Sequence, residues 1–442
     1  MTRKRNEIPE EAAWRLEDMI ENQETWERLY EEVSREADRY QEFKGTLGQS
    51  AQRLLEGLKF DDDISQKIER LYVYARMRSD EDTAGQQYQD MVSRAQSLSV
   101  RAAELSSYMV PEILAIPDEQ MDAFRKSGNG LVLYDRLLSQ LIKRKDHTLS
   151  DEMEALLAAA QDATQGGSQV FRMFNNADVR FPSIRGTDGR EISVTHGTYI
   201  SLMEHPDRRI RREAFQSLYG VYRQYSNTLA AAFGANVKQA VFYAKARKYS
   251  SSREYFLSAN EVPEAVYDRL ISSVRKGLPV LHRYISLRKK LLKLNELHMY
   301  DVYVPLVSEA DKHYTFEEAK KMVKERLAPM GKEYLSLLEE GFGNRWIDVY
   351  ENEGKRSGAY SWGIYGCHPY VLLNFHGTLK DVFTLAHEMG HAIHTWYSNE
   401  SQPYIYAGYK IFVAEVASTC NEALLIRHLL GKCTDKKERA YL

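Results

Sequence analysis

Apolar residues recur at helical spacing through most of this 442-residue chain, as at Ile64, Ile68, Leu71 and Tyr72, and only 11 prolines interrupt the pattern. Such periodicity puts one apolar stripe on each helix and requires the helices to bury those stripes against one another. The expected fold is therefore mostly α-helical. The segments Trp26–Tyr40, Gln87–Met109, Ser150–Ala163, Ile210–Tyr243, Val266–Leu294 and Phe316–Glu340 carry the pattern over lengths beyond those of ordinary strands. With 43% hydrophobic residues the chain can bury one large core or two to three smaller ones.

Two stretches depart from the helical pattern. Ala177–Val194 reads as a β-hairpin with Asp188-Gly189 at its turn. Gly354–Gly377 is rich in Gly, Ser, Tyr and Trp and contains the β-prone run Tyr370–Phe375, which reads equally as an edge strand for an extended peptide or as an ordinary core strand. No Pro/Gly/Ser linker marks a domain boundary, so a division into 1–200, including the hairpin near 177–194, and 201–442 is soft and one continuous fold is compatible with it.

Lys and Arg total 60 against 63 Asp and Glu, and a net charge of -3 produces no field suited to nucleic acid or an acidic membrane. No apolar run reaches eighteen residues, and Cys367, Cys420 and Cys433 form no C-x-x-C pair. A cytoplasmic protein with reduced thiols, no membrane association and no nucleic-acid partner is expected; oligomeric state is left open.

The most informative segment is Gly377–Tyr397. Thr378 and Asp381 stand at capping-box spacing, and the residues after them run with helical periodicity. On that helix His387 and His391 are four residues apart, so both imidazoles leave the same face at a separation that suits one tetrahedral zinc. Glu388 lies about 100° round the helix and is free to activate water. Glu415, on a second apolar-periodic segment from Ile411 to Leu430 with Gly431 as the expected C-cap, is the candidate third ligand, leaving one coordination position for the reacting water. His394 is about 10 Å along the axis from His387 and cannot share the metal, so it reads as a supporting or substrate-facing residue. Glu422 returns to the face of Glu415 and could accept a hydrogen bond from a ligand histidine, or be an exposed salt-bridging glutamate; Asp381 is explained by the cap. Gly390 inside the helix costs about 1 kcal/mol relative to Ala, which points to close approach of another backbone.

Beyond this motif, Ile8-Pro-Glu-Glu, Trp14–Asp18, Tyr74–Thr83, Gly358–Tyr360, Leu373–Phe375, Ala386–His391 and Phe412–Ser418 together resemble oligoendopeptidase F, within the thimet-type oligopeptidase family of zinc peptidases. The resemblance implies a large helical ellipsoid with a deep central channel and a small β element beside the zinc helix. It implies one Zn2+ per chain on His387, His391 and Glu415, Glu388 as general base, and short peptides as substrates. It also carries a departure: the family's later His and Tyr residues, which stabilise the transition state, have no match before Leu442. The chain is thus expected to be truncated and to bind zinc more readily than it turns over substrate. The alternative is a catalytically silent helical peptide-binding scaffold with a structural zinc.

Overall fold

Polar side chains start many of the helices. Asn22, Ser50, Asp207, Thr315 and Thr378 each accept a hydrogen bond from a first-turn backbone N–H, satisfying a donor that the helix itself leaves unpaired. In the computed structural model, residues 3–128, 130–150, 166–307 and 313–442 are described, together with positions 153, 156, 157, 160 and 164. The longer helices, in chain order, are α1 (Gln23–Glu36), α2 (Ala51–Glu81), α3 (Gln86–Ser106), α4 (Arg208–Gln224), α5 (Ser226–Ala246), α6 (Glu264–Leu291), α7 (Phe316–Arg326), α8 (Lys332–Gly343), α9 (Leu379–Ser401) and α10 (Ile411–Lys432). The helical fold class and its small β elements are as expected.

Three expected helices need comment. The segment 210–243 is two helices that break at Tyr225, where Ser226 and Asn227 favour a helix start over an interior. The segment 316–340 breaks between α7 and α8, where Pro329 lies in a short 3-10 turn and Gly331 takes φ +94°, a conformation that side chains resist. Ser150–Ala163 lies largely outside the described residues.

The chain forms two compact units. The first comprises Met1–Lys143 and Asp311–Asp435 with Leu442; the second comprises Arg144–Ala310 with Lys436–Tyr441. They interleave in sequence instead of dividing once near residue 200, because the N-terminal stretch bonds to a late part of the chain. Arg15 N–H donates to the Arg345 carbonyl, Val349 N–H to that of Ala12, and Glu353 N–H to that of Arg3. Arg5 reinforces this by pairing with Glu81 and with Asp348, whose side chain is wholly buried and also meets the Lys355 ammonium at 2.6 Å.

In the second unit, strands β1 (Ile184–Arg185) and β2 (Glu191–Ile192) form the expected antiparallel hairpin. Its core gathers Ile184, Val194, Met203, Ile210 and Ala214. In the first unit, β3 (Ile347–Asp348), β4 (Tyr360–Trp362) and β5 (Tyr370–Leu372) form a sheet of order β3-β5-β4, with β3 parallel and β4 antiparallel to β5. Strand β5 is the centre of that sheet, so the reading of Tyr370–Phe375 as an edge strand gives way to the core-strand reading. The reason lies in its two faces: Tyr370 and Leu372 enter the core built on α1–α3, while Val371 and Leu373 enter the core built on α7–α9. A strand buried on both faces has no polar alternation. Among the described residues no helix is long and apolar enough to cross a membrane.

Candidate metal centre

Helix α9 begins with a capping box in which Thr378 accepts from Asp381 N–H and Asp381 accepts from Thr378 N–H at 2.9 Å. Asp381 also accepts from His376 N–H. Its carboxylate is thus engaged at the helix start, about 9 Å along the axis from His387, and not drawn to the histidines. Inside the helix, Leu385, Ala386, Met389, Ala392 and Ile393 are fully buried against the core. This anchoring fixes the rotation of the helix and turns His387 and His391 together toward α10.

Helix α10 packs closely along α9, and the seam between them is lined by small residues. A Cβ added at Gly390 would stand 2.8 Å from Ser418 Cα and 3.0 Å from the Ala417 carbonyl oxygen, so only glycine permits the approach. The expectation of a neighbouring backbone at Gly390 is met. Through this seam Glu415 Oε2 comes to 3.4 Å from His387 Nε2 and 3.5 Å from His391 Nε2, and one donor atom from each of the three residues lies within 4.8 Å of the others. Tetrahedral bonds of 2.0–2.1 Å imply donor separations of about 3.3 Å, which two of the three pairs nearly meet.

The surrounding groups fit the same use. His387 Nδ1 lies 2.7 Å from Glu422 Oε1, so Nδ1 carries the proton and Nε2 presents its lone pair. Ser418, fully buried, donates its hydroxyl to Glu415 Oε2 at 2.8 Å. Burial, with His387 nearby, holds the His391 imidazole below its usual pKa, in the neutral form that binds metal. Glu388 is buried beside them. Burial pushes its carboxyl up to about 7, Glu415 adds to the rise, and His387 and the Ser361 backbone N–H oppose it. Its Oε2 is buried and accepts no hydrogen bond from the described protein atoms.

His394 takes no part in the triad. It stacks on Tyr409, with ring centroids 3.8 Å apart, and Tyr409 in turn bonds Thr395 at 2.9 Å. The helix α10 also runs through Gly431 to Lys432, with Cys433 as C-cap; Gly431 does not adopt a positive φ, so the expected glycine cap is corrected. Sequence reasoning missed the Ser361 amide, a backbone contact with no side-chain signal, and the bonds of Ser418 and Asn421.

The sequence pattern of peptidase family M3 matches residues 201–442, and that described as oligopeptidase F matches residues 112–181. The chain belongs to peptidase family M3. Among its relatives in the family, oligopeptidase PepF of Bacillus subtilis (strain 168) is 46% identical over 438 residues, covering 99% of this chain and 65% of that protein. Group B oligopeptidase PepB of Streptococcus agalactiae is 40% identical over 439 residues, covering 99% of this chain and 73% of PepB. The crystal structure of oligoendopeptidase-F from Enterococcus faecium aligns with a TM-score of 0.69 at 37% identity, covering 95% of this chain and 69% of that one. The chain therefore spans about two thirds of the length of these M3 relatives, and its resemblance to oligoendopeptidase F is upheld.

Proposed function

We propose that this chain holds one zinc ion on His387, His391 and Glu415 and uses it to hydrolyse peptide bonds in short oligopeptides. The observation that carries the reading is the convergence of two imidazole nitrogens and one carboxylate oxygen within 4.8 Å, beside a buried glutamate. Zinc in such a site supplies Lewis acidity, polarising a carbonyl and acidifying water. Glu388 accepts the proton of the attacking water and returns it to the departing amine; a carboxyl pushed up to about 7 suits both transfers. Glu422 holds His387 in the tautomer that ligates, and Ser418 steadies Glu415. Strand β4 is an edge of its sheet, and its Ser361 amide reaches Glu388, so an extended peptide laid along β4 would bring its backbone to the acid–base group. The names of the relatives, oligopeptidase and oligoendopeptidase, support short peptides as the substrate class.

The test compares the unmodified chain with Glu388→Gln on one defined peptide, with product termini read by mass spectrometry and zinc measured in the same samples. Glu388→Gln is expected to keep one zinc per chain and to lose about 100- to 10,000-fold in turnover. Cleavage that survives the substitution refutes the role of Glu388. Failure of the zinc-loaded unmodified chain to produce new termini overturns the peptidase reading in favour of a zinc-holding scaffold.

A further inference from the structure

The seam that brings Glu415 to the histidines combines a close backbone approach at Gly390 with the apolar contact of Leu425 on α10 with the core that holds Val382, Leu385 and Met389 of α9. Gly390 faces the backbone of Ala417 and Ser418 across it, and Ser418 spends its hydroxyl on Glu415 of its own helix. One fully buried polar side chain crosses the seam. Asn421 donates from Nδ2 to the Ala386 carbonyl at 2.9 Å, and its Oδ1 accepts the Tyr334 hydroxyl, also at 2.9 Å, from helix α8. Burial pushes the Tyr334 phenol up to about 12, so it remains a donor at neutral pH.

The position of this relay is informative. Ala386 immediately precedes His387, and Asn421 immediately precedes Glu422, the partner of His387 Nδ1. An amide buried without its partners is costly, so any slip of α10 that breaks both bonds is opposed by the amide itself. A single buried asparagine can set the register of two helices in this way.

Resting on the zinc reading above, we infer that Tyr334 and Asn421 act as positioning residues for the metal centre, locking the axial register of α10 on α9 and thereby the distances from Glu415 and Glu422 to the histidines. The relay touches neither metal nor substrate; it acts through the helix that carries two carboxylates. Its loss alters metal affinity more than it alters folding.

The experiment measures zinc dissociation constants by competition with a chromogenic chelator, and thermal stability in EDTA, for the unmodified chain and for Asn421→Leu, Tyr334→Phe, Glu415→Ala and Leu138→Ala. Leu138 is fully buried in the other core of the same unit and serves as a stability control. Asn421→Leu keeps the number and branching of the side-chain heavy atoms and is expected to weaken zinc about tenfold or more. Tyr334→Phe, which keeps the ring, is expected to weaken it about threefold. Leu138→Ala should lower the melting temperature with zinc affinity unchanged, which a merely structural role for Asn421 would mirror. Zinc affinity within twofold of the unmodified chain in Asn421→Leu overturns the inference. If Asn421→Leu does not fold, Tyr334→Phe decides on the same criterion. Zinc binding undiminished in Glu415→Ala instead overturns the underlying site assignment, so the two failures are distinct.

Discussion

The replacement Gly390→Ala separates metal affinity from stability in a way the geometry quantifies. The new methyl carbon would sit 2.8 Å from Ser418 Cα and 3.0 Å from the Ala417 carbonyl oxygen and the Asn421 amide nitrogen. The first two are backbone atoms that no rotamer change can move. Restoring ordinary carbon–carbon contact at about 3.5 Å requires α10 to retreat by about 0.7 Å. Glu415 lies three residues before Ser418 and retreats with it, although donor distances at a zinc site tolerate only about 0.2 Å. The glutamate side chain recovers part of the reach, so the loss is placed at about 10- to 100-fold in zinc affinity, or about 1.4–2.7 kcal/mol. On stability the effects oppose: alanine in a helix interior gains about 1 kcal/mol over glycine, while overpacking costs about 1–3 kcal/mol. The metal-free variant should therefore be destabilised by about 2 kcal/mol at most. Gly431→Ala is the control, since a Cβ there meets nothing within 4 Å; it should stabilise α10 and leave zinc untouched. Chelator competition gives the affinity and urea denaturation in EDTA the stability. A folded Gly390→Ala variant with unmodified zinc affinity would refute the argument that this contact sets the position of Glu415.

Other perturbations test the surroundings. Glu422→Ala removes the acceptor at 2.7 Å from His387 Nδ1 and should weaken zinc about 10- to 100-fold, with Glu422→Gln intermediate, by the same competition assay; equal affinities in all three proteins would exclude a tautomer-fixing role. Asp348→Ala leaves the Lys355 ammonium, whose side chain is fully buried, beside Arg5 with no carboxylate between them; the expected loss is about 3–5 kcal/mol in urea denaturation, and a loss below about 1 kcal/mol would contradict it. In the second unit Asp301 is fully buried, and although burial raises its pKa, the Arg208 and Arg211 guanidiniums and the His298 N–H hold it below the usual carboxylate range. A depressed value stabilises the fold above about pH 4 and is lost as pH falls through it. Asp301→Asn should therefore be less stable than the unmodified chain at neutral pH, with the gap closing in acid; a pH-independent gap would show that charge is not the cause.

Much of the candidate site was legible because its signals are local. The Thr378–Asp381 box, the His387–His391 spacing and the cost of Gly390 all lie on one helix and need no tertiary information. Glu415 required only a second helix and a turn long enough to reverse the chain. Asn421 and Tyr334 were not legible, since they meet each other across 87 positions and Asn421 meets Ala386 across 35, and an isolated Asn or Tyr carries no sign of its partner. Helix α2 showed its helical period at Ile64, Ile68, Leu71 and Tyr72. Asp61 and Asp62 in its middle and Asp80 and Glu81 at its C-terminal end carry no local sign of their partners, Tyr40, Tyr134, Tyr360 and Trp14 respectively. The run Tyr370–Phe375 was ambiguous for a related reason: continuous apolarity means burial on both faces, but only the two flanking cores show why.

The candidate metal centre depends on a hierarchy in which each level supplies what the one below lacks. The local helix code places two imidazoles on one face but cannot supply a third ligand, because the next suitable side chain on α9, His394, is turned into a stack with Tyr409. The carboxylate must then come from elsewhere, and its distance is a property of helix packing, not of spacing along one chain segment. Packing as close as that at Gly390 sets the lateral distance, while the Asn421 amide sets the axial one. Any ligand that binds only the packed arrangement stabilises it by mass action, about 4 kcal/mol at a thousandfold excess over its dissociation constant. On the proposed zinc reading, metal binding and the α9–α10 seam are one equilibrium seen from two sides: what loosens the seam should weaken the metal, and what removes the metal should loosen the seam.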